Sequence, residues 1–149
     1  MSSEVIVRLM EEMDSSCITR LEQEIFSDAW SEQGVLETRQ QKHSLILVAC
    51  EEKEIVGYII FYYVIDEGEI ARIAVAQKKR KQGVGSQLIC GLEKACREKG
   101  ISRILLDVRA GNQNAVQFYR THGFETDGIR RNFYQNPGED ALLMSREID

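Results

Sequence analysis

Six consecutive residues, Arg80-Lys81-Gln82-Gly83-Val84-Gly85, combine two cations with two glycines between runs of different periodicity. Before them Ile70-Ala71-Arg72-Ile73-Ala74-Val75 is an apolar run of strand length; after them Leu88, Ile89, Leu92, Ala95 and Cys96 recur at helical spacing. The pattern predicts strand, glycine turn, helix. The first N–H groups of such a helix lack intrahelical acceptors, and the helix dipole adds partial positive charge there. The chemistry on offer is anion binding. Gly83 and Gly85 carry no Cβ and let a phosphate approach the backbone, while Lys78, Lys79, Arg80 and Lys81 line the rim in a chain of formal charge −5. A polyphosphate is the predicted ligand.

The residues around the glycines exclude two common polyphosphate loops. A Walker loop needs Gly-x-x-x-x-Gly-Lys-Ser/Thr, but Gly85 is followed by Ser86 and Gln87, leaving no lysine for a γ-phosphate and no hydroxyl at the Mg²⁺ position. A dinucleotide fingerprint wants a third small residue where Leu88 stands. The cysteines, Cys17, Cys50, Cys90 and Cys96, include no Cys-x-x-Cys pair, and His43 and His122 lie near none of them in sequence. Reduced thiols are therefore expected, without a metal centre or a cysteine nucleophile.

Two further groups have chemical potential. In Ile101 to Val108, Ile104, Leu106 and Val108 share one strand face, so Asp107 points the other way with Leu105, a carboxylate among apolar neighbours near a strand end. Ala115, Phe118, Tyr119 and His122 recur at helical spacing after Asn112 or Asn114 and before Gly123. From periodicity alone Tyr119 is a core aromatic, and Asp107 an ion-pair partner of Arg109 or Arg72.

The remaining elements must position these groups. Val5 to Leu9 is a first strand; Asp14 is the expected N-cap of a helix with Ile18, Leu21, Ile25 and Phe26 on one face, and Ser31 that of a shorter helix with Val35 and Leu36. Leu45 to Cys50 and Ile55 to Val64 flank Glu51-Glu52-Lys53-Glu54, a hairpin loop in composition. Asp66-Glu67-Gly68-Glu69 is read as the turn into Ile70 to Val75, Gly100 as the stop of the central helix, and Ile129 to Tyr134 and Ala141 to Arg146 as closing strands around an Asn136-Pro137-Gly138 turn. The order predicts an α/β (α+β) chain, a mixed sheet of about seven strands with helices on both faces. Residues 1–149 are read as one domain. Composition, 43% hydrophobic and 29% charged, suits a globular protein, and the absence of a long apolar run or a leader-like N-terminus points to the cytoplasm without a membrane partner. An acidic chain also speaks against a nucleic-acid partner.

Arg80 to Gly85 after Ile73-Ala74-Val75 resembles the acetyl-CoA signature of the GCN5-related N-acetyltransferases (GNAT), Arg/Gln-x-x-Gly-x-Gly/Ala. Asp107-Val108-Arg109-Ala110-Gly111-Asn112 is similar to Glu-Val-Arg-Ala-Ser-Asn of the bacterial ribosomal-protein alanine N-acetyltransferases of RimI type, Ala115 through Phe124 to their Tyr-x-x-x-Gly-Phe helix, and Ile129 to Tyr134 with Glu139-Asp140-Ala141 to their Arg-Arg-x-Tyr-Tyr and Glu-Asp-Ala ending. The resemblance implies a sheet whose strands 4 and 5 splay apart and hold acetyl-CoA in the V. Ile73, Ala74 and Val75 would border the acetyl group; Gln82, Gly83, Val84, Gly85 and Ser86 the pyrophosphate; Asn112 the pantetheine arm, with Arg80 and Lys81 also among the cofactor-binding residues. The chain departs from the pattern at Ala76-Gln77, where an acidic residue and proline are common, at Phe133 in place of a tyrosine, and at Asp107 in place of the catalytic glutamate.

Direct acetyl transfer from a thioester to an amine needs a neutral amine, a stabilised oxyanion and a proton for the thiolate. These roles are read as falling to Asp107 through a water, a backbone N–H around Ala74 to Ala76, and Tyr119, the resemblance favouring function for Asp107 and Tyr119; Glu69, at the start of the neighbouring strand, is the fallback base. It implies a protein N-terminus as partner, the alanine of a small-subunit ribosomal protein. A lysine or small-molecule amine acetyltransferase and a non-catalytic acyl-CoA-binding module remain open alternatives. Oligomeric state is not legible from the sequence.

Overall fold

The computed structural model describes residues 4–135 and 138–149. Along the chain the elements are β1 (Val5–Leu9), α1 (Ser15–Ile25), α2 (Glu32–Gln40), β2 (Ser44–Glu51), β3 (Glu54–Val64), β4 (Glu67–Val75), α3 (Val84–Lys99), β5 (Arg103–Arg109), α4 (Gln113–Thr121), β6 (Glu125–Tyr134) and β7 (Glu139–Glu147). They build one seven-stranded sheet of order β1-β2-β3-β4-β5-β7-β6. Only β4 and β5 run parallel; every other neighbouring pair is antiparallel. The expected mixed sheet with helices on both faces is what forms.

The helices divide by face because the strands alternate. Leu47, Ile59, Phe61, Ile104, Leu106 and Met144 bury one sheet face against Val84, Leu88, Ile89 and Leu92 of α3 and Val116 and Tyr119 of α4. Ile46, Val48, Tyr58, Ile60 and Ala74 bury the other against Ile18 and Leu21 of α1 and Val35 of α2. Each fully buried Leu or Ile contributes about 1.5–3 kcal/mol, so α3, with Leu88, Ile89 and Leu92 all at 0% exposure, is anchored along its length.

Local signals were mostly as expected, with informative exceptions. Ser31 caps α2, its hydroxyl accepting the Gly34 N–H at 3.0 Å. Asp14 does not cap α1 with its side chain; the carboxylate instead accepts two hydrogen bonds from Arg8, at 2.7 and 3.0 Å, and the Glu11 N–H at 2.8 Å. An ion pair to the first strand outcompetes the cap, and Arg8 holds the Asp14 carboxyl below its ordinary pKa. The segment read as a turn into β4 is already strand from Glu67. The β2–β3 hairpin turns at Glu52 and Lys53, with φ of 50° and 71°, the left-handed pair that a two-residue hairpin requires even without glycine. The Asn136-Pro137-Gly138 turn falls largely outside the described residues. Among the described residues, no helix is long and apolar enough to cross a membrane.

Candidate active site

Strands β4 and β5 pair at only Glu67–Arg103, Gly68–Ile104 and Glu69–Leu105, after which β4 runs on to Val75 and β5 to Arg109 without pairing. The gap opens a cleft of about 500 Å³ reaching both faces of the sheet, lined by Phe26 and Asp28, by Glu69 to Ile73, by Leu106 to Arg109, and by Asn112, Tyr119, Phe133 and Tyr134. At its apex Ala71 is a bulge: Phe61 pairs with Ile70 and the adjacent Ile60 with Arg72. The extra residue places Glu69 and Arg72, three apart, on one face, whereas simple alternation would put them on opposite faces.

The α3 side of the cleft holds the residues expected to bind polyphosphate. Gly83 has φ of 83°, a left-handed conformation costly for any residue with a Cβ, and a Cβ there would meet nothing within 4 Å. The helix begins immediately after it, and its first described backbone bond is Gln87 N–H to the Gly83 carbonyl at 3.0 Å. The N–H groups of Val84, Gly85 and Ser86 therefore precede the first N–H that is bonded within the helix.

The neighbouring expectations change in detail. A Cβ on Gly85 would lie 3.0 Å from the Phe118 ring, so this glycine serves the approach of α4 to α3. Val84 is buried in the core. The Ser86 hydroxyl pairs with His122 Nε2 at 2.9 Å. Asn112 spends its side-chain oxygen capping α4, accepting the Ala115 N–H at 3.2 Å, while still lining the cleft. Lys78 and Lys79 do not stand free at the rim, since they pair with Glu54 and Glu51. Arg80 donates to the Val75 carbonyl at 3.3 Å and Gln82 to the Lys78 carbonyl at 3.1 Å. Lys81 alone of the basic run makes no ion pair or hydrogen bond among the described residues. Gly85→Val is thus expected to cost about 1–3 kcal/mol of stability by overpacking. Thermal melts should show the Gly85→Val/Phe118→Ala double variant less unstable than the sum of the single losses; full additivity would remove Phe118 as the cause.

The backbone of β4 offers a donor to the gap. Ala76 N–H bonds to Val56 on β3 at 2.8 Å. Successive residues of an antiparallel strand direct their N–H groups to opposite sides, so Val75 and Ile73 direct theirs away from β3, toward the space β5 has left. Of the expected segment from Ala74 to Ala76, Val75 is the residue so directed.

The carboxylates lie on the α1–α2 side. Glu69 is the last rung with Leu105, and Asp107 is two residues further along β5 on the same face. Among the described residues the Asp107 carboxylate makes no hydrogen bond or ion pair. Its two expected partners are engaged elsewhere: Arg72 with Glu22 and Asp28, Arg109 with Glu139 and the ring of Tyr134. Crowding by neighbouring protein raises the Glu69 pKa first, and the Asp107 charge raises it further, against a smaller opposing effect of Arg130. Tyr119 enters the cleft from the other face. It is 7% exposed, its ring meets Phe118 and Phe124 edge-on at 5.4 and 5.6 Å, and its hydroxyl has no hydrogen bond among the described residues. Burial pushes its phenol pKa far up, with Tyr134 adding to the shift.

A second buried group escaped the sequence reading. Glu22, 0% exposed, accepts hydrogen bonds from the Tyr58 hydroxyl, from Arg72 at 3.0–3.3 Å and from the Trp30 N–H at 2.9 Å. Arg72 also reaches the Asp28 carbonyl at 3.1 Å and stacks 3.7 Å over the Phe26 ring. The loop between α1 and α2 is thereby fastened to the bulged strand as one wall of the cleft. The available signal was Glu22 itself, a carboxylate four residues after Ile18 in the apolar stripe of α1. Among the described residues no group of three or more His, Cys, Asp or Glu side chains lies together to hold a metal ion.

Residues 16–124 match the model of the acetyltransferase (GNAT) family. The ribosomal protein bS18-alanine N-acetyltransferase of Escherichia coli strain K12 is 29% identical over 141 residues, 93% of this chain and 95% of that one. The enzyme so named from Haemophilus influenzae is 31% identical over 143 residues, 94% and 97% of the two chains. The crystal structure of the ribosomal-protein-S18-alanine N-acetyltransferase from Escherichia coli superposes with a TM-score of 0.90 at 28% identity, covering 98% of this chain and 95% of that one.

Proposed function

The chain belongs to the acetyltransferase (GNAT) family and is an N-acetyltransferase; from that premise we propose that it moves the acetyl group of acetyl-CoA onto the α-amine of a protein N-terminus, the terminal alanine of a small-subunit ribosomal protein. That target would place the reaction in the cytoplasm. The observation that carries the reading is a cleft passing through the sheet, with Glu69 and Asp107 on one face and Tyr119 on the other.

Each side then has a task. The helix N-terminus behind Gly83, with Lys81 beside it, receives the pyrophosphate, and Ile73, Ala115 and Tyr119 bound the path of the pantetheine arm. The amine enters from the opposite face between Phe26–Asp28 and Phe133–Tyr134. Glu69 takes its proton, directly or through a water, and burial, with the Asp107 charge adding to it, keeps Glu69 basic enough to do so. The Val75 N–H faces the developing oxyanion, and the Tyr119 hydroxyl supplies the proton to the departing thiolate.

An α-amine suits a carboxylate base. With a pKa near ~8 it is about one-quarter neutral at pH 7.5, against about one part in a thousand for a lysine near ~10.4. Incubating the enzyme with acetyl-CoA and an alanine-initiated peptide, an N-blocked lysine peptide and a small amine, followed by mass spectrometry, tests the choice. Mass gain on the α-amine alone is expected; gain only on the lysine or small amine, or on nothing, overturns it.

The division of labour between the carboxylates is read from pH profiles. Glu69 must be ionised to accept a proton, so its raised pKa moves the acid limb to higher pH than an unperturbed glutamate would give. Asp107→Asn removes the like charge, lowers the Glu69 pKa and should move that limb to lower pH with the plateau largely kept. Glu69→Gln should lose rate most below the amine pKa and recover in part under alkaline conditions, where neutral amine is abundant. The opposite pattern, Asp107→Asn inactive and Glu69→Gln normal, would make Asp107 the base.

A further inference from the structure

The Glu139-Asp140 pair opening β7 takes no part in the proton transfers, yet it touches both walls of the cleft. Glu139 Oε2 accepts the Gly111 N–H at 2.6 Å, and Oε1 accepts from Arg109 at 3.3 Å. Arg109 lies 4.4 Å over the Tyr134 ring. Asp140 accepts the Ala110 N–H on its carbonyl and the Asn132 N–H on Oδ1, both at 2.9 Å. Asn132, at φ of 52°, belongs to a bulge in which Arg131, Asn132 and Phe133 stand between the rungs at Arg130 and Tyr134. The bulge carries Phe133 and Tyr134 to the cleft.

Gly111 lets the carboxylate approach the backbone closely. A Cβ there would lie 2.5 Å from Glu139 Oε2, so any side chain at position 111 would require the Glu139 carboxylate to shift. The turn it anchors joins Asp107 on β5 to Asn112, the cap of the helix bearing Tyr119. One carboxylate thus fastens the end of β5 and the start of α4, and through Arg109 it reaches the aromatic wall.

We infer that Glu139 is a positioning residue, locking the 109–112 turn against the β6–β7 wall so that Asp107, Tyr119 and Tyr134 keep a single spacing across the cleft. The inference rests on the acetyltransferase reading for its consequence in rate, but the contact itself can be tested without activity. Loss of the lock loosens the turn and misplaces groups that act together in the transition state, a misplacement that costs up to about 100-fold in rate.

The test uses Glu139→Ala, Glu139→Gln, Gly111→Ala and the Gly111→Ala/Glu139→Ala double variant of the full chain. Hydrogen exchange at the amide of residue 111 and through residues 110–115 should accelerate in the Glu139→Ala and Gly111→Ala single variants, with thermal melts confirming that each is folded. With the amine that wild type acetylates, kcat should fall about 10- to 100-fold in Glu139→Ala while the KM for acetyl-CoA changes less than threefold. Glu139→Gln, which keeps an acceptor for Gly111, should recover part of the loss. The double variant should be no slower than Glu139→Ala, because both changes break one contact. Unaltered exchange at Gly111, or a double-variant loss equal to the product of the single losses, overturns the inference. Should wild type turn over none of the amines, the functional reading fails, and hydrogen exchange still decides the lock.

Discussion

Tyr119→Phe is expected to slow single-turnover acetyl transfer by about 10²- to 10⁴-fold, the range general acids contribute, while leaving fold and acetyl-CoA affinity nearly unchanged. The substitution removes one hydroxyl and nothing else: the ring contacts with Phe118 and Phe124 are carbon contacts that phenylalanine reproduces. No hydrogen bond among the described residues is lost with the hydroxyl, so there is little structural reason for it to be there. Burial, which raises the phenol pKa, keeps the group protonated through the whole neutral range, as a donor to a thiolate must be. Rapid-quench measurement at saturating acetyl-CoA isolates the chemical step. A rate within a few-fold of wild type would return Tyr119 to the status of a core aromatic.

Glu22→Ala should be the most damaging substitution for stability. It takes from the Arg72 guanidinium, whose side chain is only 14% exposed, its one buried carboxylate partner and leaves it the exposed Asp28 alone, and it leaves the Tyr58 hydroxyl without its acceptor in the core. Breaking a buried pair from one side costs about 3–5 kcal/mol, which lowers Tm by about 10 °C or more for a chain of this size. Urea unfolding measures the loss directly. The damage should extend to function, because the same carboxylate holds Trp30 and, through Arg72, Phe26 and Asp28 at the cleft; amine KM should rise more than acetyl-CoA KM. Replacing both partners together, Glu22→Leu with Arg72→Met, should restore much of the stability by removing both buried charges while the loop stays unfastened and the KM high. A loss below about 1 kcal/mol in Glu22→Ala would mean that Arg72 is not left as an uncompensated buried charge, Asp28 and solvent taking the place of Glu22.

Much of this molecule is written in short stretches of chain. The strand, glycine turn and helix from Ile70 to Lys99, the Ser31 cap, the Asn112 helix start and the alternation that separates Asp107 from Leu106 and Val108 are local patterns, and the structure follows each of them. Periodicity and capping act over a few residues, so a single sequence carries them intact. Asp14 shows the limit even there: a good cap residue was taken by Arg8, a competitor six positions away whose approach depends on where β1 docks.

The chemistry of the cleft was decided at longer range. Whether Asp107 pairs with Arg72 or Arg109 depended on Glu22, Asp28 and Glu139, which lie far from it in sequence and near those arginines only after the sheet has formed. The Ala71 bulge, which brings Glu69 and Arg72 to one face, arises from pairing with β3 and leaves no trace in the alternation of β4. Likewise Gly85 carries the composition of a phosphate loop, yet its missing Cβ admits Phe118 from a helix whose start lies more than twenty residues further along. The sequence by itself determined the elements, their order and the family motifs they carry, because those are properties of neighbouring residues. How crowded Glu69 is, which cations are already neutralised and which loop forms the cleft wall were left to the tertiary structure, since charge coupling and burial depend on distance in space, and that distance is set by how the sheet closes on its two layers of helices.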